Sequence, residues 1–177
     1  MKYKEAVKKS MEMLAGENNT LFLGYNICFG SKGYGTMTDI PDEKKIETPL
    51  AENLMIGLAM GMSLEGYHPI IFFERHDFML IALDGIVNHL DKIESMSKGE
   101  FHMPVIIRAV IGSTAPLNPG PQHTQDFTEA FKKMIKFPIY EPKTPKEIIE
   151  CYEKAKNSHT PVMIIEKKDL YEFEDGN

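Results

Sequence analysis

TPLAENLMIGLAMGM, residues 48–62, sets one acidic side chain, Glu52, ahead of an apolar run interrupted by two glycines, Gly57 and Gly61. The register suits a helix over 49–66. Thr48 can cap it, and Pro49 fits its first turn, where a missing N–H costs nothing. Glu52 then sits about one turn in, close to the loop that precedes the helix. Four residues apart, Gly57 and Gly61 share one helix face and let another backbone approach, although each glycine costs ~1 kcal/mol of helix propensity against alanine. A helix that accepts this twice is expected to pack closely against something.

On either side of this stretch, apolar runs alternate with amphipathic helical segments. Strands are expected near Leu21–Gly24, Pro69–Phe73, Pro104–Val110, Phe137–Tyr140 and Pro161–Glu166. Helical patterns cover residues 4–15, 49–66, 78–97, 124–134 and 145–156, and Thr144-Pro145 repeats the cap-then-proline start of Thr48-Pro49. This alternation predicts an α/β fold, doubly wound, with a mostly parallel sheet and helices on both faces. Residues 25–47 and 111–122 carry most of the glycine and proline outside the helices. They follow strand carboxyl ends, where open α/β sheets place ligand sites.

At 177 residues the chain is long enough for one domain with a substantial core and too short for two comfortable ones. A formal net charge of -6 argues against a nucleic-acid partner, because no basic face offsets repulsion from phosphates. MKYKEAVKKS lacks the apolar core of a secretion signal, and no apolar run approaches the ~20 residues of a membrane span, so a cytoplasmic protein without membrane contact is expected. Cys28 and Cys151 have no metal-ligand spacing and read as free thiols, and no metal site is expected on the chain.

The Glu52…Gly57…Gly61 pattern resembles the pyrimidine-binding domain of thiamine diphosphate enzymes of the transketolase family. ETPLAENLMIGLAMGMSLEGYHPI is similar to the β subunit of the 2-oxo acid dehydrogenase first component and, more distantly, to the transketolase middle domain. The likeness continues in order through HDFMLIALDGIVNHLDKIESMSKGEFHMPVIIR, GPQHTQD and PVMIIEKKDLY. The resemblance implies a single pyrimidine-binding domain over residues 1–177.

It also implies roles. Glu52 matches the buried carboxyl group that hydrogen-bonds a ring nitrogen of the cofactor's aminopyrimidine. Such a group must hold its proton near neutrality, which burial favours by penalising the charged form. Taken alone, Glu52 would read as a solvated glutamate favoured by the helix macrodipole; the two glycines and the matches that follow in order favour the catalytic role. Phe78 matches the aromatic residue that stacks on the aminopyrimidine, against the simpler reading of a core phenylalanine. His123 matches a histidine near the reacting end of the cofactor, with a pKa range suited to proton transfer; without the motif it would be a cap or surface residue. Asn88, Lys92 and Met96 also match, but their helical spacing is explained by packing.

Several positions depart from the family pattern. Phe72 stands where a glutamate is frequent, Glu74 where an uncharged side chain is usual, and Arg75 and His76 are unusual. Tyr25-Asn26 occupies a place where related subunits carry an acidic residue. The chain has no Gly-Asp-Gly followed by asparagine, the signature that holds the diphosphate through Mg2+ with hard oxygen ligands. It ends in the acidic Glu174-Asp175-Gly176-Asn177, without the carboxyl-terminal domain of transketolases. These features together imply a pyrimidine-binding subunit that joins a separate subunit carrying the Gly-Asp-Gly…Asn motif and the Mg2+, across an interface including Gly57 and Gly61, as a heterotetramer.

The expected reaction makes or breaks a carbon–carbon bond next to a carbonyl by ketol transfer on a small-molecule substrate. A β-type subunit of a 2-oxo acid dehydrogenase or acyl-transferring enzyme is the first alternative. A non-catalytic subunit that kept the fold is the second. A Rossmann-like nucleotide site would need a glycine-rich loop leading promptly into a helix, and Gly30-x-x-Gly33-x-Gly35 lacks both the spacing and the helix.

Overall fold

Six parallel strands in the order β2-β1-β3-β4-β6-β5 form the centre of the computed structural model, which describes residues 1–174. They are β1 (Thr20–Gly24), β2 (Lys45–Glu47), β3 (His68–Phe73), β4 (Ile106–Ile111), β5 (Ile139–Tyr140) and β6 (Val162–Lys167). Period-two alternation divides their side chains between two cores. Phe22, Ile70, Ile106 and Val162 stand in register and face one side. Leu23, Ile71, Ile107 and Met163 form the next row and face the other. A slip of one residue in any strand would exchange the two rows, so burial on both faces fixes the register.

Helices α1 (Tyr3–Ala15) and α5 (Pro145–Lys156) pack together on the first face through Val7, Met11, Leu14, Ile148 and Tyr152. The second face is covered by α2 (Glu52–Leu64), a 3₁₀ helix (His76–Ala82), a π-helix (Gly85–Leu90), the short α3 (Ile93–Met96) and α4 (Thr128–Met134). The doubly wound α/β architecture expected from the alternation is therefore present. Of the acidic tail, residues 175–177 lie outside the described residues.

Three local expectations need correction. Thr48 does not cap α2: its N–H still bonds the Gly24 carbonyl at 2.9 Å, prolonging the ladder of β2, and its hydroxyl is buried without a partner. The chain turns through Pro49–Ala51, so Ala51 is the N-cap and Glu52 the first helical residue rather than one turn in. Strand β2 itself went unread, because Lys45-Ile46-Glu47 is a short, mostly charged edge. The continuous helix expected over 78–97 is broken into three pieces. Gly85 presses on α2 so tightly that a Cβ there would lie 3.0 Å from Ile56 Cγ2. The π turn leads into Asp91, whose inward carboxylate accepts the N–H groups of Lys136 at 2.6 Å and Phe137 at 3.3 Å. These tertiary contacts outweigh the 3.6-residue period.

Candidate active site

The connection after β1 leads to β2 on one side, whereas the connection after β3 leads to β4 on the other. The gap between these two carboxyl ends is the topological switch point at which such sheets bind ligands. Tyr25 and Asn26 leave β1 there, Glu74 to Phe78 leave β3, and the start of α2 brings Glu52 to the same region.

Glu52 is 5% exposed, and its carboxylate forms no ion pair among the described residues. Tyr25, also 5% exposed, holds its hydroxyl beside this carboxylate, yet that hydroxyl is buried and without a partner. Burial first, and the neighbouring Glu52 second, push the Tyr25 phenol well above its ordinary pKa. Buried polar groups are nearly always paired. A buried hydroxyl left open beside a carboxylate would be completed by a ligand that presents its own donors and acceptors.

Where an acidic residue after β1 was missing from the sequence, neighbouring strands supply two. Glu47, at the end of β2, accepts the backbone N–H groups of Asn26, Ile27 and Cys28 at 2.6, 3.0 and 2.7 Å. Glu74 accepts Asn26 Nδ2 at 2.8 Å and Ser31 Oγ at 2.7 Å. The role of Glu47 was hidden with β2; reading Lys45-Ile46-Glu47 as an edge strand would have exposed it. Phe72, in place of the frequent glutamate, lies under the buried Arg108 guanidinium at 4.7 Å.

The loop after β4 folds back over the 76–78 turn. Asp77 Oδ1 accepts Gln125 N and Nε2 at 3.1 and 3.0 Å, and His76 Nδ1 accepts the Phe127 N–H at 3.2 Å. His76 is therefore a buried acceptor rather than a free side chain, and burial holds its pKa below the usual histidine value. The loop brings His123 edge-on to Phe78, with ring centres 5.5 Å apart. Only glycine fits at 112, since a Cβ there would come within 2.0 Å of the His123 carbonyl oxygen. Phe78 and His123, 45 residues apart in sequence, are thus direct neighbours.

Gly57 and Gly61 do not pack within the chain. A Cβ at either would meet nothing within 4 Å. Both line an open groove of about 670 Å3 with Ile56, Met60, Leu64 and Ile81, and Leu54 and Leu64 on the same helix are exposed. No group of three metal-ligating side chains occurs among the described residues, and no helix is long and apolar enough to cross a membrane.

Residues 1–174 match the family model described as transketolase, pyrimidine binding domain. The β subunit of acetoin:2,6-dichlorophenolindophenol oxidoreductase from Cupriavidus necator is 32% identical over 132 residues, 75% of this chain and 38% of that subunit. The β subunit of 2-oxoisovalerate dehydrogenase from Bacillus subtilis is 26% identical over 183 residues, covering 99% of this chain and 55% of that protein. The chain therefore spans about half or less of the length of these relatives. Among solved structures, a split gene transketolase described as an inactive β4 tetramer superposes with a TM-score of 0.73 at 20% identity, over 94% of this chain and 51% of the other. That likeness concerns the fold.

Proposed function

We propose, from the premise that this chain belongs to the transketolase pyrimidine-binding domain family, that it is the pyrimidine-binding subunit of a split, heteromeric thiamine diphosphate enzyme. The observation that carries the reading is the buried Tyr25 hydroxyl, left without a partner beside the largely buried Glu52 carboxylate, at the switch point of the sheet. They fit an aminopyrimidine, a flat ring with hydrogen-bonding nitrogens. When bound, thiamine diphosphate supplies a carbon nucleophile for attack on a substrate carbonyl. The work of this chain is then positional and protonic. Glu52 holds a proton at a ring nitrogen, Tyr25 orients the exocyclic side of the ring, and Phe78 provides an aromatic face. His123, held against Phe78, moves protons at the substrate end.

The diphosphate and its Mg2+ are assigned to a separate subunit bearing Gly-Asp-Gly and a downstream asparagine, in keeping with the β subunits among the relatives. The open groove along Gly57 and Gly61 is the face offered to that subunit, in a heterotetramer. Ketol transfer is the preferred reaction. A second reading, oxidative transfer from a 2-oxo acid, is favoured by the dehydrogenase-type β subunits among the relatives.

The test is affinity purification of the tagged chain from its source cells, followed by mass spectrometry and assay of the recovered complex. Recovery of a Gly-Asp-Gly protein is expected, together with thiamine diphosphate-dependent turnover that Glu52→Gln lowers at least a hundredfold. Dye reduction with a 2-oxo acid would select the second reading over ketol transfer. Turnover untouched by Glu52→Gln would remove Glu52 from the mechanism.

A further inference from the structure

His123 is placed by its main chain. Its N–H donates to the Gly120 carbonyl at 3.1 Å, its own carbonyl lies against Gly112, and its ring meets Phe78 edge-on. Residues 113–127 carry it from β4 to α4 without strand or helix. Among the described residues, three consecutive positions tie this segment by hydrogen bonds to parts of the chain other than itself and α4: Gln125 to Asp77, Asp126 to Lys167 and Phe127 to His76. The Lys167 and Asp126 side chains are 41% and 39% exposed, so that pair holds little. The other two anchors are buried, His76 at 0% and Asp77 at 6% exposure, and they directly precede Phe78 in the same turn. One piece, His76-Asp77-Phe78, thus holds both the aromatic ring and the loop that brings His123 against it.

The chemistry of His76 goes beyond packing. Its ring centre lies 6.1 Å from that of Phe127 and 5.7 Å from that of Phe131, an apolar place that a phenylalanine would fill. Nδ1 accepts the Phe127 N–H at 3.2 Å only while unprotonated, which puts the proton of the neutral ring on Nε2. Nε2 is buried without a partner. Packing alone would not require a buried donor to be left open in this way. Phe127 is also the N-cap of α4, so its bond to His76 fixes where the loop ends and the helix begins.

We propose that His76 is a positioning residue for the reaction: its Nδ1, by holding the Phe127 N–H while Asp77 holds Gln125, sets His123 against Phe78. A buried backbone N–H needs an acceptor. With none at position 76, the Phe127 N–H has to turn elsewhere, and His123, four residues back on the same loop, moves with it. A displacement of about 1 Å near the reacting atoms can cost roughly a hundredfold in rate. The consequence for turnover rests on the cofactor reading above; the bond and its hold on His123 do not.

The experiment is NMR of the isotopically labelled full chain. In the unaltered protein a scalar coupling is expected across the hydrogen bond, between the Phe127 amide nitrogen and His76 Nδ1; its absence overturns the proposal without any variant. His76→Phe keeps an aromatic ring and removes the acceptor, and should shift the His123 imidazole resonances with circular dichroism unchanged. His76→Asn removes the ring but keeps an acceptor on the same side-chain carbon, and should return them toward their original positions. Packing alone predicts the reverse order, so a larger shift in the asparagine variant, or equal shifts in both, overturns the proposal. In the complex recovered with its partner, His76→Phe should lower kcat by about tenfold or more, and His76→Asn should regain most of it. Turnover untouched by His76→Phe but lost with Glu52→Gln overturns the role in the reaction. Turnover indifferent to Glu52→Gln overturns the cofactor reading instead, and the resonances of His123 still decide whether His76 places it.

Discussion

Glu166, at the carboxyl end of β6, receives four donors while fully buried. Arg108 Nε and Nη2 reach it at 2.7 and 3.0 Å, and the hydroxyls of Tyr152 and Tyr171 at 2.6 and 2.7 Å. Burial, then the Glu166 charge, raise both phenols far above their ordinary pKa, so they remain donors. The bond to Tyr171 also anchors the 168–170 turn that carries Lys168. Glu166→Ala would strand a buried guanidinium and should cost about 3–5 kcal/mol. Replacing the pair together, Arg108→Met with Glu166→Leu, should cost less than Glu166→Ala alone. Urea unfolding of the three proteins checks both statements; a double variant less stable than Glu166→Ala would refute the second. Gly112 makes a residue-scale demand of another kind. Gly112→Ala would drive a methyl group into the His123 carbonyl and should cost about 1–3 kcal/mol while moving His123 off Phe78, visible as a shifted imidazole resonance in NMR. An unshifted resonance would mean that the loop position does not depend on Gly112.

Helix α2 is where local propensity and assembly pull apart. Gly57 and Gly61 have open space at their Cβ positions, so each Gly→Ala change should stabilise the isolated chain by roughly 0.4–1 kcal/mol through lower unfolded-state entropy. The same methyl groups would hold a docking backbone away, so the double variant should melt higher yet capture less partner. Higher melting with unchanged capture would place the interface elsewhere. The apolar alternation that predicted five strands was legible because buried strands of a parallel sheet need continuous apolar residues. The start of α5 was legible as well, since Thr144 caps it and Pro145 opens it; the start of α2 and the breaks within 78–97 were not, because tertiary contacts decided them: the ladder bond of Thr48, the pressure of Gly85 on Ile56 and the inward turn of Asp91. The site divides in the same way. Glu52, Phe78 and His123 could be singled out one at a time from motifs, whereas the Glu47 and Glu74 carboxylates at Asn26, and the open hydroxyl of Tyr25, follow from strand order. No local pattern contains that order.

At the scale of the whole molecule, two buried histidines link stability to pH. His76 packs between Phe127 and Phe131, and its Nδ1 accepts the Phe127 N–H, which requires the neutral ring. Burial lowers its pKa, opposed by Asp126, a backbone bond, Asp77 and Glu141. His68, whose Nε2 is buried without a partner, is lowered by burial and by His159 and raised by Glu17. In the unfolded chain both titrate near their ordinary value of about 6.5. Their contribution is thus fully present above that pH. It falls as the pH drops toward the folded values, because only the unfolded state gains the protons there. Each histidine can add up to about 1.4 kcal/mol per pH unit within that window. Asp91 and Asp126, whose pKa values are lowered mainly by hydrogen bonds that outweigh their burial, lose their contribution only below the ordinary carboxylate range, so the two effects separate. Chemical unfolding followed from pH 8 to pH 5 should therefore show a level plateau above about pH 7 and a decline below it. His76→Gln should lower the plateau and flatten the decline. If the variant keeps the full slope, the protons enter elsewhere, and the 76–78 turn is not what acid loosens first.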